Sequence, residues 1–449
     1  MTKDMTSGSP MKLILAFSIP ILLGNLFQQF YSMVDTAIVG RYIGVQALAA
    51  VGSTGSLTFL IVDFALGLTA GFAVPIAQAF GANDHKRMRH FVAMSVYLCI
   101  FLTVILTILS VCFTRPLLEL LNTPTDIIDD AYNYLVIIFA GLGATVFYNM
   151  IAGILRSIGD SKTPLYFLIV SSVINIVLDL VFIINFNSGI AGAAYATVIA
   201  QGISGLLCLW VAAKRYKILH LSRADFHYKT SSILRLIGIG LPMALQYSIT
   251  AVGCMILQSA VNSLVSIYVA AFTAASKVEQ LAVQPFKTLG MTMVTYTGQN
   301  LGAGKADRIK QGVRSGMVLC VIRAVISGLS LYFYGSELSG LFISASNESA
   351  SVIASAKIYL DTVIVYFIPL GSIFVYRNSL QGMGEGFITM FAGIVELISR
   401  SAVALIFTAT LGYTAICYAS PAAWVSAGAF LVIIYLIKIN KLMKDSLSC

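Results

Sequence analysis

Apolar runs bounded by charged or turn-forming residues recur along this chain, at about residues 12–40, 46–80, 91–114, 131–155, 164–186, 190–213, 231–263, 267–300, 313–334, 355–381, 387–410 and 413–437. A hydrocarbon core of roughly 30 Å is crossed by about 20 apolar residues in a helix. Each run is long enough, so the pattern predicts twelve transmembrane helices. The connectors between them are short and leave no room for a sizeable soluble domain.

Composition agrees with the pattern. Of 449 residues, 58% are hydrophobic and 10% charged, against about 25% charged in soluble domains. The opening segment Met1–Met11 carries Lys3, Asp4 and a Gly-Ser-Pro turn, and the long run after it has no A-x-A-like end, so the first span reads as retained rather than as a cleaved signal peptide. Tyr (21) and Phe (26) supply interfacial anchors where Trp (2) is scarce. The 7 Cys show no CxxC or Cys/His spacing; Cys99, Cys112, Cys208, Cys254, Cys320 and Cys417 lie in apolar stretches and read as core or lipid-facing residues, with neither a disulfide framework nor a metal site.

The net charge of +9 would suggest a nucleic-acid partner in a soluble protein, but it sorts by loop parity. Lys3 and Lys12 precede span 1; Lys86, Arg87 and Arg89 lie between spans 2 and 3; Arg156 and Lys162 between 4 and 5. Lys214, Arg215, Lys217, Arg223, Lys229 and Arg235 fall between 6 and 7, and Lys305, Arg308, Lys310 and Arg314 between 8 and 9. Arg377 ends span 10, and the tail has Lys438, Lys441 and Lys444. The opposite side has Arg41, Arg115 and Lys357. The positive-inside rule therefore predicts both termini in the cytoplasm, in an inner (plasma) membrane, and the charge needs no nucleic acid.

The chain also repeats. Gln78-Ala-Phe-Gly81-Ala recurs as Gln299-Asn-Leu-Gly302-Ala at an offset of 221, Pro20 has a counterpart at Pro242, and Leu155-Arg-Ser-Ile-Gly159-Asp160 aligns with Leu380-Gln-Gly-Met-Gly384-Glu385 at an offset of 225. Two six-helix halves follow. We expect a cytoplasmic segment 1–11, an N-lobe 12–213, a linker 214–230, a C-lobe 231–437 and a cytoplasmic tail 438–449. Six is even, so both halves enter the membrane in the same direction and are related by a pseudo-two-fold axis along its normal, with a binding cavity expected between them.

An ionisable residue inside a span costs at least about 2.5 to 3.5 kcal/mol at the bilayer centre, so each needs a partner, a cavity or a function. The candidates are Asp35, Asp63, Asp179, Lys277, Glu279, Lys287, Arg323, Glu396 and Arg400. Glu396 and Arg400 have the i,i+4 spacing of an intrahelical ion pair. Lys277 and Glu279, two apart, face different sides and need separate partners. Asp63 reads as structural or auxiliary. Asp35 and Asp179 have no basic residue within helical reach, and Asn175 lies one turn before Asp179 on the same face. Burial without a cation disfavours a charged carboxyl, and a second carboxylate nearby disfavours it further. Such a group can load and release a proton, and the same hard oxygen donors suit a small cation.

These residues carry a resemblance. Pro20 to Gly40 (PILLGNLFQQFYSMVDTAIVG), Asn175-Ile-Val-Leu-Asp-Leu-Val-Phe, Gly189-Ile-Ala-Gly-Ala-Ala-Tyr-Ala-Thr197 and the repeated Gln-x-x-Gly-Ala resemble the multidrug and toxic compound extrusion (MATE) transporters over nearly the whole chain. The resemblance implies an all-α polytopic membrane protein of twelve transmembrane helices in two six-helix lobes around a V-shaped central cavity. It implies antiport of amphipathic, often cationic organic compounds against H⁺ or Na⁺, with no cofactor besides that ion, and a chain that works as a monomer in the lipid bilayer. Carried over residue by residue, the coupling site maps onto Asp35, Asn175, Asp179 and Thr197, which would also be the Na⁺ ligands, with Tyr134 as neighbour. Pro20 matches a proline whose kink responds to loading of the site; physically, Pro removes a helix hydrogen bond and makes a bend cheap. Gln28 and Tyr31, on roughly the Asp35 face, are candidate substrate contacts, and helix packing explains them equally well. Span 7 (Pro242 to Ser263) has no acid and span 10 has only Asp361, near its outer end. That departure makes the chain more similar to the DinF-like branch, with coupling in the N-lobe; Glu279, with Lys277, is a candidate C-lobe polar site.

Two other readings stay open. A lipid-linked-oligosaccharide flippase of the same superfamily would need basic cavity residues for pyrophosphate, and Lys277, Lys287 and Arg323 keep that idea alive. A membrane-embedded transferase would rest on Asp126-Ile-Ile-Asp129-Asp130, but this follows Thr123-Pro124-Thr125 and reads as a helix start with acids in its first turn. No Ser/His/Asp set, metal-ligand cluster or Walker loop occurs, so we expect neither an enzyme nor an ATP-driven pump.

Overall fold

Each apolar run becomes a helix, and many helices outrun the apolar stretch because flanking polar residues cap them. Where the third run begins, the Asp84 side chain accepts a hydrogen bond from the Arg87 backbone N–H at 2.9 Å, satisfying one orphan donor of the helix start. The computed structural model describes residues 4–121, 123–343 and 349–447; Lys3 lies outside the described residues, as do the outermost ends of the two cytoplasmic segments expected at the termini. Among the described residues the fold is all helix.

The first seven helices are α1 (Pro10–Tyr42), α2 (Val45–Gly81), α3 (His85–Leu120), α4 (Ile128–Ala140), α5 (Leu142–Ser157), α6 (Lys162–Leu180) and α7 (Gly189–Arg215). Two short 3₁₀ turns lead to α8 (Thr230–Asn262), α9 (Ser266–Gly302), α10 (Ala306–Gly340), α11 (Ser349–Ile364), α12 (Phe367–Gly382), α13 (Gly386–Ile406), the one-turn α14 (Thr408–Leu411) and α15 (Tyr413–Leu447). Nine of the described helices are long and apolar enough to cross a membrane, and two further spans are the bent pairs α4–α5 (44°) and α11–α12 (52°). The remaining span, α9, equals α2 in length at 37 residues, but it carries Lys277, Glu279 and Lys287 within three turns. Those charges interrupt its apolar stretch.

The repeat seen in the sequence is a repeat of structure. α1 and α8 are 33 residues each, and α5 and α12 are 16 each. The turn after α2 holds Asn83 with φ 56°, and its counterpart after α9 holds Gly304 with φ 69°; both are left-handed, which only Gly and Asn adopt cheaply.

The chain separates into two compact units. The first runs from Ile19 to Ser248; the second joins Met5–Ser18 to the chain from Ile249 onward. The repeated Gln-x-x-Gly-Ala motif explains both memberships. In the first unit Gln78 Oε1 accepts from Arg235 Nη2 at 2.7 Å, near the start of α8. In the second, Gln299 Oε1 accepts from the Met5 backbone N–H at 2.9 Å, and Lys305 Nζ donates to the Thr6 carbonyl at 2.9 Å, just ahead of α1. Within the first unit α2 and α8 nearly touch by their backbones: a Cβ on Gly71 would lie 2.4 Å from Gly240 Cα, and one on Gly67 2.6 Å from Ala244 Cα.

One core cluster of the first unit, containing Ile38, Leu57, Leu135, Phe139 and Ile183, fixes the helices around the candidate site. Val34, Ile176 and Leu180 pack against it. Each is the chain neighbour of a candidate polar residue, so the helices carrying Asp35, Asn175 and Asp179 are held by packing one residue away.

Candidate functional site

Four helices of the first unit bring the predicted coupling residues together. α1 supplies Tyr31 and Asp35, α4 supplies Tyr134, α6 supplies Asn175 and Asp179 one turn apart, and α7 supplies Thr197. Asp179 is 0% exposed and Asn175 2%; Asp35, Tyr31, Tyr134 and Thr197 are half-buried. The Asp35 and Asp179 carboxyl groups face one another, and Tyr31 and Tyr134 lie within their field. Asn175 Nδ2 donates to Thr197 Oγ1 at 3.3 Å.

Asp35 Oδ1, Asn175 Oδ1 and both oxygens of Asp179 are buried without a hydrogen-bond donor among the described residues. Buried acceptors without donors are costly, and two facing carboxylates repel. A proton on one of them, or a small cation between them, relieves the repulsion and supplies a partner to part of this acceptor set. All the donors to such a cation are hard oxygens, which suits a light metal ion; among the described residues no cluster of three or more His, Cys, Asp or Glu occurs. Directly after Asp179 the backbone widens into a π-turn, Val181–Asn185, a local form that often marks functional sites in helices.

The other candidates are placed as follows. Gln28 is exposed and lies against the Tyr31 hydroxyl together with Gln201. The sequence pattern does not single out Gln201, although it stands one turn after Thr197 on α7. Pro20 is buried inside an unbroken α1, one residue after the division of the chain between Ser18 and Ile19.

In the second unit Glu279 accepts from Tyr359 Oη at 2.8 Å, while Lys277 is exposed with its ammonium 5.5 Å from the centre of the Phe342 ring. The structure does not bring Lys277 and Glu279 together. Glu396 and Arg400 form the expected i,i+4 pair at 2.8 Å, but Glu396 also receives Arg377 at 2.7 Å. Arg377 thus leaves the loop tally: it is a buried partner in the fold rather than a topology residue at a helix end.

With the geometry in place, the chain can be set beside known proteins. The family model MatE matches residues 20–181 and again 242–406, once over each half. The chain belongs to the MatE family. These are multidrug and toxic compound extrusion transporters. MatE relatives include the probable multidrug resistance protein YpnP of Bacillus subtilis (strain 168), 29% identical over 410 residues and 91% of each chain. Another from the same organism, the probable multidrug resistance protein YoeA, is 30% identical over 359 residues, 78% of this chain and 77% of that one. A crystal structure of a MATE in complex with MaL6 superposes with a TM-score of 0.92 at 24% identity, over 99% of this chain and 100% of that one. The MatE fold of twelve helices in two lobes is therefore this chain's fold, and the chain is a polytopic membrane protein of a multidrug-efflux transporter family.

Proposed function

We propose that this MatE protein is a secondary antiporter of the inner membrane, with both termini in the cytoplasm, that exports amphipathic organic compounds in exchange for H⁺ or Na⁺. The observation that carries the reading is the buried pair Asp35 and Asp179, whose facing oxygens lack donors. Loading of a cation from outside removes one of the pair's two negative charges and relieves their repulsion, and its release inside restores it. An ion drives export only if it changes the relative stability of two states of the transporter or their affinity for substrate. A group that is costly when empty and relaxed when loaded meets that requirement. Asn175 and Thr197 position the α6–α7 side of the site, Tyr134 closes it, Pro20 is where α1 bends in response, and Gln28 and Tyr31 reach toward substrate. The absence of an acid in span 7 is the basis for placing coupling in the first half, as in the DinF-like branch.

The test is efflux from proteoliposomes with pH and Na⁺ gradients imposed separately. Gradient-driven efflux of an organic cation, abolished in Asp35→Asn and Asp179→Asn, is expected. Translocation of labelled lipid without efflux would replace the antiporter by the flippase.

A further inference from the structure

The offset of 225 that relates Gly159 to Gly384 holds through the neighbouring helices. It carries α5 (Leu142–Ser157) onto α12 (Phe367–Gly382) end to end, and the two glycines share a left-handed turn, φ 87° and 91°. In this register Tyr134 falls on Tyr359 and Asn175 falls on Arg400. The second unit therefore has a counterpart of the acidic site, with a guanidinium where the first has an amide.

That guanidinium is 4% exposed. Glu396 takes one N–H from Arg400 and one from Arg377, through Nη2 in each case. One carboxylate is thus shared by two cations, and Arg400 Nε, Arg400 Nη1 and Arg377 Nε are buried without an acceptor among the described residues. Arginine does not shed its proton, so these donors stay charged and open. Glu279, which also bears on Arg400, accepts from the Tyr359 hydroxyl through Oε2. The guanidinium is seated against Gly253 of α8, where a Cβ would sit 3.0 Å from Arg400 Nη1. The first unit thus has acceptors lacking donors, and the second, at related positions, donors lacking acceptors.

We propose that Arg400, with Arg377 beside it and Glu396 orienting both, binds an oxyanion group, carboxylate or phosphate, of the exported molecule. This names a substrate class for the transport reading above and rests on it, since the ligand is cargo. The open N–H groups are what the oxyanion completes.

The experiment is equilibrium binding to the purified full-length chain in detergent, with no ion gradient, using fluorescent 7-hydroxycoumarin-3-carboxylate and its methyl ester as probes and inorganic phosphate as competitor. Losing charge-assisted hydrogen bonds predicts that the ester binds about ten-fold or more weakly than the acid, and that phosphate displaces the acid. Arg400→Gln removes the preference for acid over ester; Arg400→Lys retains part of it. Equal binding of acid and ester by the unmodified chain overturns the proposal without any variant having to fold. An unchanged preference in Arg400→Gln overturns it too. Both results leave gradient-driven export through Asp35 and Asp179 untouched, and a failure of that export leaves the binding result standing.

Discussion

Asn175 donates its side-chain amide to the Thr197 hydroxyl across 3.3 Å, tying α6 to α7 one turn before Asp179. The bond leaves the amide oxygen free as an acceptor beside the carboxyl pair. Thr197→Val removes one partner and should weaken activation by the coupling ion several-fold, as expected for a hydrogen bond worth about 1 kcal/mol. Asn175→Ala, which also removes the oxygen, should weaken it further. The ion concentration giving half-maximal efflux measures both, and an unchanged value in Asn175→Ala would remove the amide from the site.

Transport and stability should separate at Asp179. Its carboxyl is fully buried without a donor, so Asp179→Asn relieves a cost rather than breaking a bond. Loss of efflux is expected with a melting temperature equal to or above that of the unaltered chain. A marked fall in melting temperature would mean that Asp179 holds the fold.

The approach of α2 to α8 allows no side chain. A Cβ on Gly71 would overlap Gly240 Cα, so Gly71→Ala should cost about 1–3 kcal/mol by overpacking, and Gly71→Leu should prevent accumulation of folded protein. Thermal unfolding followed by size-exclusion chromatography reads both. Gly52, whose Cβ would meet nothing within 4 Å, is the control and should tolerate Ala.

The linker between the halves is pinned by Asp225. Burial opposes its charge, but hydrogen bonds from the Ser222 backbone N–H at 2.7 Å and hydroxyl at 2.8 Å, with Arg89 at 3.4 Å, outweigh burial and hold the carboxyl below its ordinary pKa. A pKa lowered by folding gives stability that is complete above the unfolded value of about 3.9 and is lost as pH falls through the lower folded value. Linker amides should therefore stay protected from hydrogen exchange, corrected for intrinsic rate, from pH 7 down to about 4, and lose protection below that. Asp225→Asn should be unprotected throughout the range.

The spans were legible because a bilayer accepts long apolar helices and little else, and the halves were legible because turn residues such as Gly159 and Gly384 punish substitution. Asp35 and Asp179 stood out by the same logic, as charges without a helical partner. Arg377 did not: its partner Glu396 is 19 positions away, and a helix-end arginine looks the same in sequence whether it meets water or a buried carboxylate. Gln201 was hidden because an uncharged amide in a span carries little penalty and so little signal. The bend at α4–α5 falls at Gly141 without a proline, whereas the bend at α11–α12 lies just ahead of Pro369, whose missing N–H and ring bulk interrupt the helix ladder at Val365.

Gln78 grips the start of α8 and Gln299 grips the residues ahead of α1, so neither half of the gene encodes a self-sufficient piece. On the ribosome the first unit is complete only once Ser248 has been made. The second unit waits for an N-terminus synthesised long before it. Two gene fragments divided in the linker would each carry an opening helix segment that belongs to the other's unit, and they should work only when expressed together.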